Sequence, residues 1–273
     1  MKQRNVFSTS TRKRIANLIC PSQFESLRES CLATIESFAA FGDRVETKRG
    51  PFFFQDNGAD VLAVAHLDTV RHDRHFGHTP GDDSTIYNCQ LDDRLGVWLA
   101  LYVFPVMGLK MDVLLTTGEE SARSTAKGFV SPRQYNWLTE FDRSGVDVVT
   151  YDIETTDWSQ AIEIENCLGW GSYSDIVELE HLGACAANWG VGYYGNHEPE
   201  SMFRVRELGD MIHRFKRFYD EFSGVSFPYD PSTCIQGWEE ADWEEYDQRD
   251  LTEEDRIMEE EWREYFLKYG NPN

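Results

Sequence analysis

Basic residues are in short supply in this 273-residue chain, with 26 Lys and Arg against 48 Asp and Glu and a formal net charge of −22. A surface of that sign repels phosphate backbones, which excludes nucleic acid as a partner. Long apolar runs are missing too: no stretch reaches the roughly 18 apolar residues of a membrane span. The first residues hold Lys and Arg but no apolar core of a secretory signal before Arg12-Lys13-Arg14. The six cysteines show neither Cys-x-x-Cys spacing nor a dense framework, so reduced, mostly buried thiols are expected. No internal repeat is present. These absences point to a soluble, cytoplasmic protein that contacts neither membrane nor nucleic acid.

What is present suffices for a large core, since 41% of the residues are apolar and 14% aromatic. At this length one α/β domain with appendages is expected. The charge is unevenly spread. The first fifty residues hold 9 basic and 5 acidic residues, whereas Asp230 to Asn273 hold 15 acidic and 4 basic ones. The expected organisation is a basic arm over 1–20, a main domain over 21–228 and an acidic extension over 229–273. Within that extension Thr252 and Asp255 open an amphipathic helix striped by Met258, Trp262, Tyr265, Phe266 and Tyr269. Three readings stand for it: a helix docked on the domain with a solvated acidic face, a helix that binds a protein partner, or a flap that repels acidic substrates.

Ser22 and Glu25 form a capping box for a helix that places Phe24, Leu27, Cys31, Ile35 and Phe38 on one face. Residues 45–55, broken by Arg49-Gly50-Pro51, read as a hairpin, and 61–66 as a buried strand. A helix is expected over 94–104, ended by Pro105. A strand over 111–117 follows, then helical sequence to about 141 and a third strand over 146–152. A short helix over 175–182, a fourth strand over 184–189 and a long helix over 200–222 complete the domain. Strands alternating with helices predict an α/β fold: a three-layer α/β/α sandwich around a mixed, largely parallel sheet.

Metal-competent groups collect at the ends of these strands. His66 and Asp68 close the first apolar run, and alternation along a strand lets both face one way. The histidine can then bind a metal through one ring nitrogen while the carboxylate holds the other. Glu119 and Glu120 end the second strand and Asp152 the third, with Asp92-Asp93 and His197 in loops. Any one of these alone reads as structural. Together, two imidazoles and several carboxylates suit two zinc ions sharing a bridging carboxylate, and cobalt or manganese are alternatives.

In this order the motifs resemble those of the co-catalytic di-zinc exopeptidases, which include single-domain bacterial aminopeptidases and the acetylornithine-deacetylase group. Ala65-His66-Leu67-Asp68 is similar to their His-x-Asp strand end, and Leu91-Asp92-Asp93-Arg94-Leu95-Gly96 to their bridging segment. Thr117-Gly118-Glu119-Glu120 is similar to their Glu-Glu pair, Tyr151-Asp152-Ile153 to the strand-end acid, and Gly195-Asn196-His197-Glu198-Pro199-Glu200 to the closing His segment. The resemblance implies that His66, Asp92 and Asp152 bind one ion and that Asp92, Glu120 and His197 bind the other. Asp68 would orient His66, Glu119 would act as general base, and the Asp92–Asp93 peptide would be cis. The implied activity is hydrolysis of a terminal amide bond. An aminopeptidase comes first, a deacylase of N-acyl amino acids or a carboxypeptidase next, and a non-catalytic or mononuclear member last. The chain departs from the family in lacking room for an inserted domain between its motifs, and its Glu-Glu segment continues without the usual glycines.

Weaker candidates surround this set. Ser174-Asp175 resembles a family turn on the substrate side, and Ser174 reads equally well as a helix N-cap. Tyr193 and Tyr194 read as pocket walls or as ordinary packing, and Glu200 as the acid three residues beyond His197. His72, His75 and His78 fit a loop at the mouth of the site better than a third metal site.

Overall fold

Six consecutive buried residues, Val61–His66, form β3, the strand around which the sheet is laid out. A computed structural model of the protein describes residues 21–72, 75–79 and 84–230. The basic arm and the acidic stripe from Met258 to Tyr269 lie outside the described residues. β3 pairs in parallel with β6 (Asp112–Thr116) and β7 (Trp137–Ser144), and β7 pairs in parallel with β9 (Ala186–Tyr194). Parallel strands are covered on both faces, which is why β3 and β6 are buried along their whole length and apolar at their centres. Antiparallel strands close both sides. β2 (Gly50–Gln55) and β1 (Asp43–Thr47) lie beyond β6, while β10 (Met202–Arg204), β5 (Thr85–Tyr87) and β4 (Gly77–Thr79) lie beyond β9. A two-residue β8 (Val148–Val149) pairs antiparallel with β9.

The helices are α1 (Pro21–Leu32), α2 (Leu91–Trp98), α3 (Thr156–Glu163) and α4 (Val205–Phe222). α2 runs on through a π turn over Leu99–Val103 to Val106. Alternation along β7 sorts the layers. Phe141 packs on Phe104 and Phe215, with ring centroids 4.8 and 4.7 Å away, beneath α2 and α4. Its neighbour Glu140 points to the opposite face, where the Ser174 hydroxyl meets its carboxylate and a 3-10 helix over Asp175–Leu182 lies against the sheet. The fold is a mixed α/β sheet, parallel at its centre and flanked by helices. No helix among the described residues is long and apolar enough to cross a membrane.

Four expectations are corrected. Residues 121–141 hold no α-helix, only a 3-10 turn over Thr125–Gly128 after the end of another at Ser121, because β7 begins at Trp137 and supplies a central strand. Trp137, Leu138 and Phe141 fall at helical spacing, and Glu140 reads as a polar face although it is buried. The expected strand over 146–152 shrinks to β8, and β9 extends past Trp189 to Tyr194. The long helix starts at Val205, since 202–204 pair as β10.

Candidate metal centre

β3 ends by delivering His66, fully buried, to the edge of the sheet. Its Nδ1 lies 2.9 Å from the Asp68 carbonyl oxygen, which only accepts, so Nδ1 carries the proton. Nε2 then faces three carboxylates: Asp92 Oδ1 at 3.1 Å, Asp142 Oδ2 at 3.3 Å and Glu119 Oε2 at 3.7 Å. The Asp68 carboxylate does not hold the ring, from which it stands 3.8 Å away. It accepts instead from the backbone N–H of Gly118 at 2.7 Å and of Glu120 at 3.2 Å. Asp68 therefore fixes the turn that carries the two glutamates.

That turn is a single 3-10 turn over Glu119–Ser121, set between left-handed residues Gly118 (φ 84°) and Ala122 (φ 52°). A Cβ at position 118 would also meet the Arg123 carbonyl at 2.7 Å, so glycine is required. Asp92 and Asp93 depart from helical geometry at the start of α2, with a cis peptide between them. The two Asp92 oxygens face different imidazoles: Oδ1 faces His66, and Oδ2 lies 3.2 Å from His197 Nε2. His197 also lies 2.9 Å from Glu120 Oε2. It sits in a left-handed turn (φ 65°), and its carbonyl accepts from Arg71 Nε at 2.6 Å.

Asp142, not Asp152, is the acid the structure brings to His66. Asp142 sits near the end of β7, beside β3 in the sheet. Its Oδ1 accepts from the Tyr193 hydroxyl at 3.0 Å, and its backbone N–H donates to Asn188 Oδ1 at 2.9 Å. Asp152 is exposed in the turn after β8, and no metal-competent cluster of the described residues includes it. The available signal was the run Trp137-Leu-Thr-Glu-Phe141, which ends in an acid much as β3 ends in His66. Tyr193, on β9, read from the sequence as a pocket wall or ordinary packing, and Asn188 carried no signal.

Of the weaker candidates, Tyr193 alone touches a carboxylate that faces His66. Ser174 and Asp175 are buried beneath the centre, where Ser174 meets Glu140 and Asp175 meets the Thr116 hydroxyl at the end of β6. Tyr193 is buried and holds Asp142, whereas Tyr194 donates to Glu207 at 2.7 Å under the Arg204 guanidinium. Glu200 is exposed on the loop after His197. His72, His75 and His78 do not gather: His72 meets the Thr69 hydroxyl at 3.3 Å, the His75 carbonyl accepts from Asn88, and His78 stacks on Phe24 in β4.

The electrostatics describe a cluster short of positive charge. Burial alone would lower the His66 imidazole, yet Asp142, Asp92 and Glu119 outweigh it and hold the ring well above its ordinary value. Hydrogen bonding to Asp92 and Glu120 pushes His197 up to about 10. Burial, reinforced by neighbouring carboxylates, pushes Glu119 up to about 9 and Asp142 up to about 7. Burial also raises Asp93 and Glu140. Asp92 runs the other way: burial would raise it, but His197 and His66 hold it low. Protons thus supply the charge that carboxylates this crowded require. Divalent cations fit the same need, because His66, Glu119 and Asp142, and again His66, Asp92 and Glu120, bring ligand atoms within 4.8 Å of one another. One oxygen of Glu120 is moreover buried without a partner.

Solved peptidases share this fold. A tripeptidase from Staphylococcus aureus subsp. aureus mu50 aligns with a TM-score of 0.56 and 12% identity, over 74% of this chain and 98% of its own. Aminopeptidase PepT from Bacillus cereus ATCC 10987 aligns with a TM-score of 0.50 and 12% identity, over 77% of this chain and 98% of its own. No protein-family model and no curated protein matches the chain. At this identity the likeness is one of fold.

Proposed function

We propose that the protein is a metal-dependent exopeptidase that removes the N-terminal residue of a short peptide. The observation that carries this reading is Asp92, whose two carboxylate oxygens each face an imidazole, with a further carboxylate beside each ring. His66, Asp92 and Asp142 would hold one ion, and Asp92, Glu120 and His197 the other. Imidazole and carboxylate donors suit zinc, with cobalt or manganese as substitutes. When bound, such ions polarise a scissile carbonyl and bring the pKa of water to about 7.

The chain's own groups supply the rest. The Asp68 carbonyl keeps the His66 proton on Nδ1, so the Nε2 lone pair points into the centre. The Asp68 carboxylate, by gripping the Gly118 and Glu120 amides, sets both glutamates in place. Glu119 stands outside both ligand sets, with 14% of its side chain exposed at the centre. It takes a proton from the attacking water and returns it to the leaving amine. The names of the two structural neighbours, a tripeptidase and an aminopeptidase, favour a free amino terminus over an acylated one.

The test is a panel of di- and tripeptides with free or acetylated amino termini, assayed with added zinc, cobalt or manganese alongside elemental analysis. Release of the first residue from free-terminus peptides, with two ions per chain, is expected. Cleavage of acetylated substrates alone would move the assignment to a deacylase, and one ion at most would remove the dinuclear claim.

A further inference from the structure

A cavity of about 420 Å³ is lined by residues close in sequence to the candidate metal centre, though by none of the centre's own side chains, and it falls within the roughly 300–1,000 Å³ usual for small-molecule sites. Leu32, Ile35 and Leu67 give it apolar walls, Gln90 and Arg94 give it buried polar ones, and Thr34, Glu36 and His72, all exposed, complete the polar lining. It shares backbone with the centre, since Leu67 separates His66 from Asp68 while Gln90 and Arg94 flank Asp92.

Arg94 is the unusual member. Only 2% of it is exposed, yet among the described residues it forms no ion pair. One terminal nitrogen donates to the Ser30 carbonyl at 3.1 Å, the guanidinium carbon lies 4.9 Å from the Phe38 ring centroid, and Nε is buried without a partner. Asp68 and Asp93 act on this guanidinium only from beyond ion-pair distance, with burial the larger influence on it, and its planar fork matches a carboxylate placed directly against it. Apolar walls around such a group select a ligand with one charged end and one greasy end.

We propose that this cavity binds a small carboxylate with an apolar tail, the chemistry of the carboxyl end of an apolar amino acid or short peptide, through Arg94 and Gln90. A link between this cavity and hydrolysis rests on the exopeptidase reading. Binding of the carboxylate does not. Two sources share that chemistry: the far end of the substrate itself, or a separate acid such as a released amino acid.

Calorimetric titration of the full chain with N-acetyl-leucine and with its neutral amide tests the site directly. The acid is expected to bind at least about tenfold more tightly than the amide, as a charge-assisted pair requires. Ala33→Phe, at a half-buried wall position, should fill the cavity and abolish the preference while Arg94 stays in place. Arg94→Lys keeps the charge, loses the fork and should weaken acid binding by about tenfold. Urea melts of both variants verify that they fold. In a peptide assay, competitive inhibition by N-acetyl-leucine assigns the site to the substrate's own carboxylate, and non-competitive inhibition assigns it to a separate acid. Equal binding of acid and amide, or wild-type acid binding by a folded Ala33→Phe, overturns the proposal. Acid binding without peptide cleavage would instead remove only the exopeptidase reading, and cleavage without acid binding only this site.

Discussion

Glu119 and Glu120 carry the same side chain one position apart, yet they face different partners. Glu119 Oε2 lies 3.7 Å from His66 Nε2, and Glu120 Oε2 lies 2.9 Å from His197 Nε2. Glu119→Gln should keep both ions and lower kcat by roughly 10²–10⁴-fold, the usual share of general acid–base catalysis. Glu120→Gln should lose metal first, with activity partly restored by excess metal. The opposite pattern in metal analysis would reverse the two roles. The same logic separates Asp142 from Asp152. After dialysis, Asp142→Asn should retain less metal than wild type, whereas Asp152→Asn, changed in an exposed turn, should retain all of it. Tyr193→Phe removes the hydroxyl that holds Asp142 and should weaken metal binding by about 10–100-fold, as loss of an outer hydrogen bond commonly does. An unchanged affinity would make Tyr193 a packing residue only.

At the scale of elements, α4 holds the sheet from the face opposite Glu140. Phe215 is fully buried and stacks on Phe104, Trp137, Phe141 and Trp189, with centroids between 4.7 and 6.3 Å away. Phe215→Ala should cost about 3–5 kcal/mol through lost burial and the cavity left behind. Urea denaturation measures it, and a cost under about 1 kcal/mol would mean that the core collapses freely around the gap. The consequence reaches the site, because Phe141 in that ring cluster is the neighbour of both Glu140 and Asp142 on β7. Packing on one face of the strand thereby aims acids from the other.

Across the whole molecule, the unevenly buried charge makes stability depend on metal and pH together. In the metal-free protein, Glu119 rises from 4.5 to about 9, Asp142 from 3.8 to about 7 and His197 from 6.5 to about 10. A group whose folded value is raised contributes stability that is present below its ordinary value and lost as pH climbs through the folded one. All three therefore act in one direction. Asp92 has the opposite sign, and its contribution is lost only in strong acid. With chelator, Tm should fall as pH rises from about 5 to about 10, while the metal-loaded protein should vary less and melt higher. A chelated protein whose Tm rises over that interval would contradict the described cluster.

The sequence by itself determined the local features whose signals are contiguous. The run Val61–His66 specifies a buried strand and the polar residue that ends it. Glu119-Glu120 at the end of the next apolar run and Asp92-Asp93 at the start of α2 mark further acids that such a strand end can gather. Alternating strands and helices point to the α/β class. Only the tertiary structure decided which strand lies beside β3, and that placement selects the acid. Trp137, Leu138 and Phe141 satisfy a helical period as well as a strand buried on both faces, so periodicity cannot choose between them. Pairing with β3 and β9 chooses the strand, sets Asp142 3.3 Å from His66 and leaves Asp152 in solvent. The role of Asp68 was decided in the same way. Its spacing from His66 allows a carboxylate–imidazole contact, but the Gly118 and Glu120 amides, some fifty residues away, compete for that carboxylate and win. Two backbone donors at a turn satisfy a carboxylate better than one ring nitrogen already held by a nearby carbonyl, and that competition exists only once the strands are side by side.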